Sequence, residues 1–285
     1  MSTATDRSIS LIAGCSAIST SNFSKGTGVY YIPNFVTDAE EGYLIQKIQN
    51  SPHKSWRQLR NRRSVSRCSG GEITQKNVLL ASDLPSIVTS YPDLITRLKD
   101  TGAFDGSPHG QPNHIILNEY LPGQGIMPHE DGPAYHPVVA TLSLGTHTVF
   151  HYYRYAPNAD EKPSNAPEND QPSSTEVHGR RVDPTPVLTI LLEPRSLVIT
   201  TDALYGSHLH GICDVKEDSF ILTSSGRPHL RNSNVELDNW HLLADEEIKG
   251  VIEKGEALPR GIRYSLTCRD VAHVLRTGKL LGAKR

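Results

Sequence analysis

The sequence contains no apolar run of about 18 residues, so no stretch of it reads as a membrane-spanning helix. Its four cysteines, Cys15, Cys68, Cys213 and Cys268, are scattered and form no CxxC pair. That spacing supports neither a zinc knuckle nor a disulfide framework, and it favours a reducing compartment. An excess of charge of one sign is also missing. The formal net charge is -2 over 285 residues, so any contact with nucleic acid must come from a local basic patch. No internal repeat is visible. The opening "MSTATDRSISLIAGCSAISTSNFSKG" lacks a basic start and a long apolar core. Residues 1–27 are therefore expected to form a flexible tail, not a secretory signal.

What is present begins near "GVYYIPNFV", a β-like run. Thr37 and Glu40 then fit a helix capping box, ahead of Leu44, Ile45 and Ile48 at helical spacing. "PDLITRLKDTG" reads as a second short helix. From His114 onward, short strands dominate: "PVVATLSLG", "HTVFHYYRY", "PVLTILLEP", "RSLVIT", "SFILTSS" and "GIRYSLTCRDV". Helices followed by many strands predict a mainly β sandwich or barrel with flanking helices. Two insertions interrupt it. Residues 156–186 are rich in Pro, Asn, Ser and charge, and predict a mobile segment. Residues 226–260 hold "DNWHLLADEEIKGVIEKG", which predicts a helix burying Leu242, Leu243, Ile248 and Ile252.

The chemistry concentrates in "HIILNEYLPGQGIMPHEDG", residues 114–132. His129 and Asp131 are two apart, so in an extended chain both side chains project to one face and can reach one ion. A third ligand must come from elsewhere, and "DALYGSHLHGI" offers His208 or His210. Two histidines and one carboxylate with open positions form the facial triad of non-haem Fe(II) oxygenases. Chance HxD pairs are common, and His114, His136, His147 and His151 are read as ordinary polar or core residues. The last strand, "RGIRYSLTCRDV", strengthens the metal reading. Period two places Arg263, Ser265, Thr267 and Arg269 on one face and Tyr264, Leu266 and Cys268 on the other. Either the cationic face is solvent, or it lines a pocket for a dianion, since the guanidinium fork matches carboxylates. The two arginine Cα atoms are expected about 20 Å apart at roughly 3.3 Å per residue, so one arginine is the stronger candidate.

Together, "NEY", "HEDG", "HGI" and "RYSLTCR" resemble the AlkB-type Fe(II)/2-oxoglutarate-dependent dioxygenases. The resemblance runs from about residue 28 to the end, apart from the insertions. It implies a double-stranded β-helix (jelly-roll) core in a domain spanning 28–285. It implies His129, Asp131 and His210 as Fe(II) ligands, His210 being chosen because it precedes Gly211-Ile212. Arg263, helped by Tyr120, would meet the far carboxylate of 2-oxoglutarate. Arg269 and Asn118 would lie near the metal-side carboxylate, and Ser265 stands where bacterial members often carry asparagine. With O2 as second co-substrate, the family chemistry is oxidative decarboxylation coupled to substrate hydroxylation, which on an N-methyl group ends in release of formaldehyde.

The substrate is expected to be an alkylated nucleic-acid base. Upstream, Lys54, Arg57, Arg60, Arg62, Arg63 and Arg67 cluster beside Trp56. Cations of this kind neutralise phosphates and an aromatic stacks on a base. In the resemblance this segment is a mobile lid over the iron; the plainer alternative is a solvated basic loop. Two other functions stay open at this point, a hydroxylase or demethylase of protein residues and a non-catalytic binding module on the same fold. The chain is expected to act as a monomer in the nucleus or cytoplasm, off the membrane.

Overall fold

The structure, a computed structural model, describes residues 16–17, 28–52, 56–65, 70–156 and 180–276. The chain runs through β1 (Ser16–Ala17) and β2 (Val29–Ile32) into helix α1 (Asp38–Gln49). Two strand pairs follow, β3 (Arg57–Leu59) with β4 (Arg62–Val65), and β5 (Gly71–Ile73) with β6 (Leu79–Ala81). Helices α2 (Ser86–Thr89) and α3 (Leu94–Asp100) lead to β7 (His114–Tyr120), β8 (Ile126–His129), β9 (Tyr135–Leu144) and β10 (Thr148–Tyr153). Then come β11 (Leu188–Leu192), β12 (Leu197–Thr201), helix α4 (Asp202–Gly206), β13 (Leu209–Ile212) and β14 (Glu217–Leu222). β15 (Pro228–Leu230), β16 (Val235–Glu236), helix α5 (Glu246–Glu253) and β17 (Ala257–Pro259) precede β18 (Arg263–Val271) and β19 (Val274–Arg276).

Two antiparallel sheets make the jelly roll. The larger has eight strands in the order β1-β2-β12-β9-β18-β7-β4-β3, and the smaller has four in the order β11-β10-β13-β8. Alternation along the strands explains why they face each other. Val29 and Tyr31 of β2 and Val198 of β12 join the core between the sheets, with Val149, Tyr152, Ile190 and Leu192 of the smaller sheet. The alternate residues Tyr30, Ile32, Leu197 and Ile199 turn to the outer face of the large sheet, where Leu44, Ile48, Leu94 and Leu98 of α1 and α3 cover them. Helix α1 starts as expected. Thr37 Oγ1 accepts from the Glu40 amide and the Glu40 carboxylate accepts from the Thr37 amide. Glu40 is then ion-paired with Arg97 of α3, whose guanidinium holds the Glu40 carboxyl down at about pKa 2.

The region 226–260 is a built subdomain. Strands β14 to β17 form their own sheet, and Leu237, Leu243, Ile248, Ile252 and Leu258 are buried in one hydrophobic cluster with residues of β10 and β11. The helix expected from residue 238 starts later, at Glu246. Asp245 caps it by accepting from the Glu247 and Ile248 amides. Residues 240–242 form only a 3-10 turn, and Leu243 is extended. Residues 157–179, most of the first insertion, and the 1–27 tail apart from Ser16–Ala17 lie outside the described residues; Tyr155 bridges Val182 at the insertion's root. Among the described residues no helix is long and apolar enough to cross a membrane.

His151 of β10 is buried, with Nδ1 2.9 Å from Thr189 Oγ1. Burial pushes its pKa from 6.5 down to about 4. The unfolded chain takes up this proton near pH 6.5 and the folded chain only near 4, so stability falls as pH drops through that window. Chemical denaturation at pH 6.5 and 4 should show a loss on the order of 2–3 kcal/mol from this residue. His151→Asn should make the pH slope shallower.

Candidate metal centre and co-substrate cleft

His129 ends β8 and His210 lies on β13, and the two are directly opposed across the antiparallel pair. Gly211 makes that contact close. A Cβ there would stand 3.1 Å from the Ile126 carbonyl oxygen and the Pro128 nitrogen of β8. The two imidazole centroids are 4.4 Å apart. Asp131 follows as β8 ends, and Gly132 takes φ +86°, a left-handed turn that glycine adopts without strain. One ligand atom each from His129, Asp131 and His210 lies within 4.8 Å of the others.

The donor set is prepared for a cation. His129 Nδ1 donates to the Met127 carbonyl at 2.9 Å, which leaves Nε2 as a lone pair facing the site. His210 stacks on Phe150, and its Nε2 is 3.7 Å from Asp131 Oδ1. Burial lowers the pKa of His129 and takes that of His210 down to about 4, so both rings are neutral at pH 7. Asp131 Oδ2 is buried and has no partner. Two neutral imidazoles and a carboxylate with an unused oxygen fit a divalent transition metal. His208, the other candidate, turns away and donates from Nδ1 to the Ala203 carbonyl at 3.1 Å.

The cationic face of β18 lines a cleft that also contains His129 and His210. Register explains its composition. Arg263 is opposite Tyr120, Ser265 opposite Asn118 and Arg269 opposite His114. Tyr264, Leu266 and Cys268 point the other way into the outer core. Arg263 is only 3% exposed and Arg269 only 6%, so the solvent-facing alternative is excluded. Arg263 donates from Nη2 to Ser143 Oγ at 2.8 Å and lies over the Tyr120 ring, but its Nε has no acceptor. Among the described residues no carboxylate pairs with it. Burial lowers its pKa to about 10, so it remains a cation at neutral pH. A buried unpaired cation is costly, and an anion entering the cleft relieves that cost. Arg269 already has an anion, Asp131 Oδ1.

Residues 28–269 match the model of the 2OG-Fe(II) oxygenase superfamily. The chain belongs to that superfamily. It is 35% identical over 256 residues to the probable RNA/DNA demethylase ALKBH6 of Danio rerio, covering 90% of this chain and 91% of that protein, which places it with the AlkB-type members. It is also 30% identical over 136 residues to the uncharacterized protein L905 of Acanthamoeba polyphaga mimivirus, covering 47% of this chain and 61% of that one. The structure of OsALKBH1 aligns with 12% identity and a TM-score of 0.46, over 87% of this chain and 99% of that one. This AlkB-type chain is thus an Fe(II)/2-oxoglutarate-dependent dioxygenase, and its donor set fits the iron that the family uses.

The basic segment differs from its expectation. Lys54 and Arg67 lie outside the described residues. Arg57–Leu59 and Arg62–Val65 form a hairpin that extends the large sheet beside β7. Arg63 makes two 2.6 Å hydrogen bonds to the buried Glu119 carboxylate and lies 4.8 Å over the Trp56 ring. Trp56 packs against the outer core and donates from Nε1 to Ser51 Oγ. These two side chains have structural partners. Arg62 reaches from Nε to Asn118 Oδ1 at 3.4 Å, at the rim of the cleft. Arg57 and Arg60 remain exposed. Sequence reasoning missed Thr141 and Val139, which line the cleft, and Ser143, which holds Arg263. The alternation in "VVATLS" of β9, identical in kind to that of β18, is the signal that marks them.

Loss of the Arg63 fork leaves Glu119 buried without its cation. Arg63→Ala should therefore cost about 2 kcal/mol in urea unfolding. Arg60→Ala should stay within about 0.5 kcal/mol.

Proposed function

We propose that this dioxygenase oxidatively demethylates alkylated nucleic-acid bases, holding Fe(II) on His129, Asp131 and His210 and 2-oxoglutarate along β18. The observation that carries the co-substrate assignment is the buried, carboxylate-free guanidinium of Arg263 in the same cleft as His129 and His210. Bound iron supplies oxygen activation coupled to decarboxylation of 2-oxoglutarate. The chain's own residues do the rest. Arg263, steadied by Ser143 and Tyr120, binds the far carboxylate. Asn118, Ser265 and Arg269 orient the end nearer the metal. Val139, Phe150, Val198 and Ile212 exclude water from the cleft and strengthen each polar contact in it.

The substrate class is supported by the relative named as a probable RNA/DNA demethylase and by the exposed Arg57 and Arg60 on the hairpin next to β7. No feature of the cleft calls for a peptide instead. The reading places the protein where nucleic acid is, in the nucleus or cytoplasm, acting as a monomer.

Methylated oligonucleotides with Fe(II) and 2-oxoglutarate should yield succinate and formaldehyde in equal amounts, and methylated peptides should not. The reverse pattern would move the substrate to protein. Arg263→Lys should raise the KM for 2-oxoglutarate about tenfold or more, since a point charge replaces a two-pronged donor. Replacing Arg57 and Arg60 by serine should weaken oligonucleotide binding and reduce its salt slope by roughly 0.7 to 0.9 for each phosphate that is no longer neutralised. Identical salt titrations for variant and parent would remove the hairpin from the binding surface.

A further inference from the structure

Alternation along β4 separates its two arginines. Arg63 is opposite Glu119 and Ser64 opposite Asn118, so Arg62 shares the inner face of the sheet with Ser64, Asn118 and Tyr120. Asn118 and Tyr120 line the co-substrate cleft. The β3–β4 hairpin is one edge of the large sheet, and β8 is one edge of the small sheet. The two edges meet. Asn61, at the hairpin turn, lines a crevice with Ile126 and Met127 of β8 and Gly211 and Ile212 of β13, the strands that carry His129 and His210. Arg62 therefore stands where the hairpin, the metal-bearing strands and the cleft come together.

Its guanidinium is only partly engaged. Nε donates to Asn118 Oδ1 at 3.4 Å, and no other hydrogen bond or ion pair holds it among the described residues. A guanidinium has donors only, so this contact turns the amide oxygen of Asn118 toward Arg62. Asn118 Nδ2 is left to donate, and it meets no acceptor among the described residues. Nη1 and Nη2 of Arg62 are not among the polar atoms sealed from water. They are the open side of a fork whose geometry matches a phosphate.

We infer that Arg62 joins substrate to co-substrate: Nε fixes the Asn118 amide so that Nδ2 donates to the metal-side end of 2-oxoglutarate, and the Nη groups take a phosphate of the nucleic acid. The inference rests on the proposed nucleic-acid substrate and makes Arg62 the point where its backbone reaches the cleft, beside the exposed Arg57 and Arg60 of the same hairpin. Toward 2-oxoglutarate Arg62 is a positioning residue, because it acts through Asn118. Toward the nucleic acid it is a direct contact.

The test uses the full chain loaded with Mn(II) and kept anaerobic. Binding of 2-oxoglutarate is followed by calorimetry, and binding of a labelled single-stranded methylated oligonucleotide by fluorescence anisotropy at several salt concentrations. Arg62→Ala should raise the dissociation constant for 2-oxoglutarate about two- to tenfold, the effect of one hydrogen bond. In an Asn118→Ala background the same change should add no further loss. Arg62→Ala should also reduce the salt slope of oligonucleotide binding by roughly 0.7, and Arg62→Lys, which keeps the charge, should restore that slope. A loss in only one of the two titrations overturns the inference, since Arg62 would then serve a single ligand. An equal 2-oxoglutarate loss in both Asn118 backgrounds overturns it too, because Arg62 would not act through the amide. A salt slope that Arg62→Lys fails to restore overturns the phosphate contact. A parent chain that binds no oligonucleotide overturns the proposed substrate and this inference together, whereas a parent that binds it, with Arg62→Ala unchanged in both titrations, overturns this inference alone.

Discussion

Two guanidinium groups buried on one face of β18 set the terms for the rest of the site. An isolated cation in a protein interior is expensive, so each arginine has to be answered by an anion. Arg269 is answered from within, by Asp131. Arg263 is answered by neutral groups only, Ser143 Oγ and the face of the Tyr120 ring. The difference divides the cleft into an end that is electrostatically closed and an end that awaits negative charge. A dicarboxylate suits that division, one carboxylate for Arg263 and the other toward the metal. β18 can carry such a face only because its other side is Tyr264, Leu266 and Cys268, packed in the outer core against the helices.

The metal ligands depend on the same two-sheet geometry. His129 and His210 meet because β8 and β13 are antiparallel neighbours in the smaller sheet, and because a glycine follows His210 where any side chain would press on the β8 backbone. Asp131 meets them from just beyond the strand end, pinned by an arginine of the larger sheet. The centre therefore straddles the two sheets. Burial keeps the imidazoles neutral, and the Arg269 contact lies on the same carboxylate oxygen that faces His210.

Much of this was legible in residues close together in the chain. The His129/Asp131 spacing, the two faces of β18 and the capping box at Thr37 are all local period or motif signals, and each took its expected form. The choice between His208 and His210 was not settled by period, because both have the same parity. The structure separates them by ending α4 at Gly206, so that His208 bonds back to that helix. The roles within the basic segment were hidden for a different reason. Composition marks Arg57, Arg60, Arg62 and Arg63 as alike, yet pairing with β7 gives Arg63 to Glu119 and Arg62 to Asn118. A cross-strand partner some 56 positions away leaves no trace in local composition. The late start of α5 has the same origin: the Asp238 and Asn239 side chains bond to the Thr189 and Leu191 backbone of β11, and Asp245 caps the helix instead. The separation of the two arginines along β18 raised doubt about Arg269. The cleft runs along the strand, so both arginines line it from different positions.

The distribution of unsatisfied polar atoms gives this arrangement a thermodynamic meaning. A buried donor or acceptor without a partner costs about 1–3 kcal/mol, and folds rarely retain one without a reason. Of the five such atoms among the described residues, Arg263 Nε and Arg269 Nε belong to cleft residues and Asp131 Oδ2 to the ligand set; Ser107 Oγ and Tyr205 Oη lie on residues that do not line the cleft. Elsewhere among the described residues buried polar groups are closely satisfied, as in the buried Asp218 carboxylate shared by Arg260 and His147. Polar frustration is thus concentrated where a metal and a dianion would relieve it. Ligands that satisfy these atoms bind the folded chain and not the unfolded one, so occupancy and stability are linked. The two sheets carry the side chains of the site, Arg269 and Asp131 hold each other across it, and the remaining free valences are left to the ligands.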